Sequence, residues 1–351
     1  MRIGIIGTGV RPIPPVGYGG VERTIAELAN ALRAVGEDVT IVNDPGHGRG
    51  FDEYRFALTL GRRLHGASFD VLHAHTPIVA NRLIARGGPL VYTTHSRHWF
   101  VRKGVRERLG AWWERRAVRR APATIALTDR VAARIRSELA GRGLPQLTTI
   151  PIGVDADRFR PDWARRTGHR ALGVGIVSPI KRWELAAAAL RGLGVRLTII
   201  GPTPDPGYAE AVRAAGDDVV LAGEVDGPTL ERAFAESDLL VHPSAVELLP
   251  GVVLQGLAAA LPVLGAEPLD GLVRPGATGV VAAPTADAQG IVAALAQGAR
   301  ALLADDTARR RMGEAARADA LDRFSWRTVA ERHREVYARV AIATRPRGPS
   351  T

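Results

Sequence analysis

The sequence predicts two α/β domains in tandem, each an open, doubly wound sheet, and three observations carry that prediction. Short apolar segments alternate along the chain with segments of helical period, the pattern of parallel strands joined by crossover helices. The alternation starts twice, at Arg2-Ile-Gly-Ile-Ile-Gly and again at Leu172-Gly-Val-Gly-Ile-Val-Ser, with a polar, arginine-rich stretch up to Arg170 between them that reads as a linker. The length of 351 residues suits two domains of ordinary size. Two such sheets imply a cleft in which a ligand binds.

Composition narrows the function classes. Cysteine is absent, which excludes disulfides, thiolate nucleophiles and cysteine metal sites. The net charge of +11 invites polyanionic partners. Only Lys103 and Lys181 are lysines, however, and the abundant arginine and alanine suggest a GC-rich coding bias. The charge is therefore discounted, and no zinc-ligand spacing or stacking-aromatic motif argues for nucleic acid. Met1-Arg2 leads straight into a strand pattern, so a cytoplasmic location is expected.

In the first half, the strand at Arg2 ends on glycine. A long loop follows, Thr8-Gly-Val-Arg-Pro-Ile-Pro-Pro-Val-Gly-Tyr-Gly-Gly. Val21, Ile25, Leu28, Leu32 and Val35 then recur at helical spacing, and Gly36 ends the helix. Strand, glycine loop and helix are the phosphate-binding geometry of doubly wound folds, although the dinucleotide fingerprint itself is missing. Gly19 and Gly20 at the helix start let backbone approach a ligand. Further strands are expected at Val39-Thr-Ile-Val, Val71-Leu-His-Ala-His, Leu90-Val-Tyr-Thr-Thr-His-Ser, Thr124-Ile-Ala-Leu-Thr and Thr148-Thr-Ile-Pro. His73, His75 and His95 fall at carboxyl ends of these strands, where open α/β sheets bind ligands. No carboxylate or cysteine is spaced with them, so neither a metal nor a cofactor is expected. Between Arg97 and Arg120 the chain is dense in arginine, with Trp99, Phe100, Trp112 and Trp113 interleaved. The preferred reading is a solvated helix whose aromatics face the core; the alternative is a basic helix lying on an anionic membrane.

In the second half, strands are expected at Leu172, Arg196-Leu-Thr-Ile-Ile-Gly, Val219-Val-Leu-Ala-Gly, Leu239-Leu-Val, Pro262-Val-Leu and Gly279-Val-Val-Ala. Lys181 follows the first of them, placed to neutralise a phosphate. The stretch from His242 to Leu264 organises the rest. A loop carrying Glu247 leads from one strand into an apolar helix, with Pro250 near its start and Pro262 past its end. Free amides at Gly251, Val252 and Val253 would point out of that helix end, which favours an anion. Glu247 would accept hydrogen bonds from hydroxyls of whatever carries the anion, so a sugar phosphate or nucleotide sugar is indicated. Residues 248–266 carry no charge, but two prolines and Gln255 argue against a membrane span. Phe324-Ser-Trp opens a last helix to about Val340, and residues 344–351 read as a frayed tail.

Taken together these residues resemble the family 4 retaining glycosyltransferases. The pieces are Gly17-Tyr-Gly-Gly-Val-Glu-Arg, Val71-Leu-His-Ala-His, Thr94-His-Ser, Gly153-Val-Asp-Ala-Asp-Arg-Phe-Arg-Pro, Lys181, Pro243-Ser with Glu247, and Phe324-Ser-Trp. The resemblance implies the GT-B fold of two Rossmann-like domains, with residues 1–165 binding the acceptor and 166–326 the nucleotide sugar. It also implies a final helix, 327–343, that crosses back to the first domain. It implies that Gly19, Gly20, Lys181, Arg182, Glu247, Gly251, Val252 and Gln255 bind the donor. His95, Lys181 and Glu247 would act at the reacting centre, and Arg11, Arg97 and His98 would face a small-molecule or lipid-headgroup acceptor.

Two positions depart from the family pattern. Gln255 stands where a second glutamate is usual, and Ile176 where an arginine is usual, with Arg182 and Arg11 as candidate substitutes. A neutral hydrogen bond in place of a charged one costs about 1 kcal/mol. Losing a contact to the leaving phosphate costs about a hundredfold in rate. A sugar phosphorylase on the same fold and a non-catalytic sugar-nucleotide binding protein are the rival readings.

Overall fold

The computed structural model describes residues 1–15, 19–46, 51–95, 97–100, 104–140, 143–266, 269 and 271–343. Gly17 and Tyr18 of the glycine loop, Lys103 and the tail from 344 on lie outside the described residues. The chain divides into two compact units, Met1–Gly153 with Trp326–Thr351, and Val154–Ser325. Unit 1 carries β1 (Arg2–Ile6), α1 (Gly20–Ala34), β2 (Asp38–Val42), α2 (Asp52–Arg63), β3 (Val71–Ala74), α3 (Pro77–Arg86), β4 (Leu90–Thr94), α4 (Val105–Arg120), β5 (Ala123–Ala126), α5 (Asp129–Glu138) and β6 (Gln146–Thr149). Unit 2 follows with β7 (Arg170–Val174), α6 (Trp183–Leu190), β8 (Arg196–Ile200), α7 (Pro206–Ala215), β9 (Val219–Gly223), α8 (Gly227–Glu236), β10 (Leu239–His242), α9 (Gly251–Ala258), β11 (Val263–Gly265), β12 (Gly279–Val281), α10 (Ala288–Ala304) and α11 (Asp306–Phe324). Then α12 (Trp326–Ala343) rejoins unit 1.

Each unit is built on one parallel sheet. The strand orders are β2-β1-β3-β4-β5-β6 and β12-β11-β10-β7-β8-β9. Strands buried on both faces have to be apolar throughout, and Ile3, Ile5, Ile6, Leu239, Leu240 and Val241 are all buried. The helices bury one stripe each. Ile25, Leu28 and Leu32 of α1 pack in one core with Val329, Ala330, Val336 and Val340 of α12. Asp205, Asp226, Asp287 and Asp305 each accept the amide three residues on, at the starts of α7, α8, α10 and α11, which satisfies an otherwise unpaired donor at each helix start.

The structure differs from the sequence expectation in two places. The arginine-rich stretch before Arg170 is packed into unit 2 rather than left as a linker, so the division falls at 153/154 and not at 165/166. Phe159 stacks edge-on with Phe234 at 5.2 Å, and Arg158 pairs with Glu231 at 2.5 Å. Arg166 donates to the carbonyls of Ala259 and Ala260, and Arg317 to that of Ala258. These arginines cap the C-terminal end of α9, where cations are favoured; composition alone makes them look solvated. The other difference is in α4. Trp99, just before the helix, is buried and donates to Thr94, but Trp112 is 54% exposed. The aromatics do not all face the core. Among the described residues no helix is long and apolar enough to cross a membrane.

Tyr337 fastens α12 to the sheet: it is fully buried, and its hydroxyl lies 2.8 Å from His73 Nδ1. Replacing it with alanine should destabilise unit 1 by about 3–5 kcal/mol, and with phenylalanine by only about 1 kcal/mol. Hydrogen-exchange protection of β1 and β3 reads both effects.

Candidate active site

Unit 2 changes direction between β7 and β10. The chain lays β8 and β9 on one side of β7, then returns to place β10 on the other. At such a reversal the loops leaving two neighbouring strands diverge, opening a crevice at their carboxyl ends. Both loops carry charge here, and both are tied down. The loop after β7 runs into a single 3-10 turn, Pro179–Lys181, and Arg182 then adopts the left-handed conformation at φ 54°. Across from it, the Ala245 amide donates to the Ile180 carbonyl at 2.8 Å. Arg182 donates through Nε to Pro243 O at 2.6 Å and through a terminal nitrogen to Ser244 O at 2.9 Å. Two of its guanidinium nitrogens thus strap the loops together. On the other side of β7 the loop after β8 also comes close: a Cβ on Gly201 would lie 2.2 Å from the Gly175 carbonyl oxygen.

The straps hold two opposite charges in contact. Lys181 Nζ pairs with Glu247 Oε1, with side chains 17% and 16% exposed. His242 Nε2 approaches the same oxygen at 3.3 Å. Burial pushes the Glu247 carboxyl up, but the His242 contact and the Lys181 charge outweigh it and leave it at about 2. His242 is fully buried, and burial holds its imidazole below the ordinary range in spite of the carboxylate beside it. Both its ring nitrogens lack a hydrogen-bond partner among the described residues. Sequence reasoning gave His242 no role, although the rule that singles out His75, position at the carboxyl end of a central strand, applies to it equally.

The loop bearing Glu247 ends at Pro250, which gives α9 no side-chain cap. The amides of Gly251 and Val252 have no partner among the described residues, and both residues are partly exposed. The third amide expected to be free is not: Val253 N donates to Pro250 O at 3.0 Å, because the first turn closes on its own cap residue. Gln255 is partly exposed one turn beyond Gly251, on the same face. Ile176 is 40% exposed, while its carbonyl accepts the Trp183 indole N–H at 3.0 Å.

Unit 1 reverses between β1 and β3. The loop after β1 is pinned where Thr8 donates to the buried Glu22 at 2.7 Å, a carboxylate that sequence reasoning passed over. Gly19 is needed there, since a Cβ would meet Pro15 at 2.7 Å, whereas Gly20 has open space around it. Beyond β3, His75 Nδ1 lies 3.0 Å from His95 Nε2, and burial holds His95 down to about 4, so the pair is neutral near pH 7. His73 lies against His75, with ring centroids 4.2 Å apart. It is fully buried inside the sheet, between Thr93 at 2.7 Å and Tyr337 at 2.8 Å, and its part is structural. Arg11 is exposed, and its carbonyl accepts from Asn43. Arg97 lies in one 3-10 turn, its side chain outside the described residues, and His98 packs against Gly110.

The model of Glycosyltransferase Family 4 matches residues 18–158, and that of Glycosyl transferases group 1 matches residues 174–305. The glycogen synthase of Mycobacterium tuberculosis is 30% identical across 92% of this chain and 92% of its own. Sucrose-phosphate synthase from Thermosynechococcus elongatus superimposes with a TM-score of 0.80 at 21% identity, covering 97% of this chain and 99% of its own. Anabaena HepE, solved with UDP and glucose, does so with a TM-score of 0.72 at 17% identity, covering 97% of this chain and 100% of its own. These two structures bear out the GT-B fold.

The low carboxyl of Glu247 has a measurable consequence. Its folded value of about 2 lies below the ordinary 4.5, so its contribution is complete above the ordinary value and fades as pH falls towards the folded one. At 1.36 kcal/mol per pH unit it amounts to at most about 3 kcal/mol. Thermal melts of Glu247→Gln against the unmodified protein should show a stability gap at neutral pH that closes in acid. A gap independent of pH would refute the assignment.

Proposed function

The chain belongs to the family 4 glycosyltransferases, transferases that use nucleotide-sugar donors, and from that membership we propose that it moves a sugar to a small-molecule or lipid-headgroup acceptor with retention at the anomeric carbon. One observation carries the reading: Lys181 and Glu247 meet at the reversal of the second sheet, in the same unit as the uncapped start of α9. A diphosphate fits the amides of Gly251 and Val252 together with the Lys181 ammonium, and a sugar fits the remaining oxygen of Glu247. Arg182, expected to bind the donor, has two guanidinium nitrogens on the carbonyls of Pro243 and Ser244, and the part proposed for it is to hold the two loops together.

In this mechanism the bond from the anomeric carbon to the phosphate oxygen breaks while the acceptor oxygen bonds the same carbon from the same face. The acceptor proton passes to the departing phosphate. Lys181 and the α9 amides stabilise the charge that grows there. Glu247, at about 2, stays ionised and accepts from sugar hydroxyls instead of acting as an acid. A double displacement needs two carboxylates about 5 Å apart. Gln255 offers an amide one turn into α9, which argues against that route. Neutral His95, steadied by His75, suits hydrogen bonding to the transferred sugar, with Gly19 and Gly20 meeting the donor phosphates and Arg11, Arg97 and His98 facing the acceptor.

Gln255 and Ile176 keep a second reading in view, a phosphorylase that uses a sugar phosphate without a nucleotide. Activity with UDP-, GDP-, ADP- and dTDP-sugars, compared with sugar phosphates plus inorganic phosphate, separates the two. Proton NMR of the first-formed product reads the anomeric configuration, and an inverted product would sink the retaining mechanism. Lys181→Ala should lower turnover about a hundredfold or more; because it also removes one partner of a largely buried pair, turnover is read at a temperature where circular dichroism shows the variant folded. Gln255→Glu should lower the donor Kd about fivefold, from the roughly 1 kcal/mol by which a charged hydrogen bond exceeds a neutral one; calorimetry measures it.

A further inference from the structure

Helix α4 turns an unusual face to solvent. Val105, Leu109 and Trp112 are 83%, 52% and 54% exposed, and positions i, i+4 and i+7 share one side of a helix. Trp113 borders them, its ring 4.7 Å from that of Trp112. Arg108, Arg116, Arg119 and Arg120 fall on the same side, and three of the four are exposed. The acids of the helix, Glu107 and Glu114, fall on the opposite side. Glu114 is buried, and accepts from Tyr92 at 2.8 Å and from Thr94 at 2.5 Å. Asn81 of α3 holds the Trp113 carbonyl at 2.9 Å. The inner side is thus bound to the sheet and to α3, and the outer side is fixed outward.

We propose that this face of α4 seats unit 1 on an anionic lipid surface. Apolar side chains flanked by arginine, with tryptophan among them, are what an interfacial helix needs: the apolar stripe enters the acyl boundary while the guanidiniums meet lipid phosphates. A second exposed apolar and basic face lies in the same unit. α3 packs against both α4 and α2, and α2 with its cap residue exposes Phe51, Tyr54 and Leu58 at 83%, 39% and 74%, alongside the exposed Arg55 and Arg62. The same chemistry disfavours other occupants. Nucleic acid draws on arginine and aromatic faces and gains nothing from exposed valine and leucine. A second copy docked by two-fold symmetry would set these arginines against themselves.

Flotation with vesicles tests this on the full chain. The protein should bind phosphatidylcholine vesicles containing about one-third phosphatidylglycerol, should not bind phosphatidylcholine alone, and should bind at least about tenfold more weakly once salt shortens the screening length to about 3 Å. The double variant Leu109→Ser/Trp112→Ser should lose at least about tenfold in vesicle affinity, with unchanged circular dichroism because both side chains are exposed. Arg119→Glu/Arg120→Glu should abolish the preference for anionic vesicles. Equal vesicle binding by the variants and the unmodified protein would overturn the proposal. So would the absence of any binding at low salt, binding of single-stranded DNA in place of vesicles, or a dimer in sedimentation that the Leu109/Trp112 variant dissociates.

Discussion

The contact between Lys181 and Glu247 is the constraint that unit 2 is built to satisfy. Two charges with less than a fifth of their side-chain surface in water carry a desolvation cost of several kcal/mol each, offset only by good geometry and further polar contacts. The fold supplies that geometry from strand order. β7 and β10 are neighbours, so the loops that follow them start side by side. The Ala245–Ile180 bond and the Arg182 strap then fix how far apart they stand. Even the left-handed backbone at Arg182, unfavourable for a residue with a side chain, fits this account, because it turns the guanidinium back onto the second loop.

Both units carry a reversal of strand order, and the two are electrostatically unlike. In unit 2 the reversal joins a lysine to an ionised carboxylate, and the same loop leads into α9, whose first two amides have no partner among the described residues. In unit 1 it gathers histidines that burial keeps neutral, His75 and His95 in contact, with His73 locked between Thr93 and Tyr337 beneath them. That lining offers hydrogen bonds without net charge. The roles proposed above for Lys181 and for His95 are consistent with that contrast.

Much of this was legible in the sequence, and what was not has physical causes. Each expected strand is present; β1 and β10 were legible because a strand buried on both faces is an apolar run, whereas β6 and β9 are only partly buried. Lys181 and Glu247 stood out because lysine is scarce and because prolines bracket the helix after Glu247. The stretch before Arg170 misled, since an arginine capping a helix's last carbonyls has the same composition as one in water. His73 and His75 look alike in sequence, and only the strand register, with His73 opposite Ile5 and Val91, puts one inside the sheet and leaves the other at its end. Val253 was misjudged because a helix start closes its first turn in more than one way.

The return of α12 to unit 1 has a consequence for how the protein is made. Val329, Ala330, Val336 and Val340 complete the core that α1 begins, yet they are translated after the whole of residues 154–325. On the ribosome unit 2 therefore has every residue it needs before unit 1 does. The first half of the nascent chain waits with a helix-sized apolar strip uncovered, and chaperones that shield such strips have their longest opportunity there.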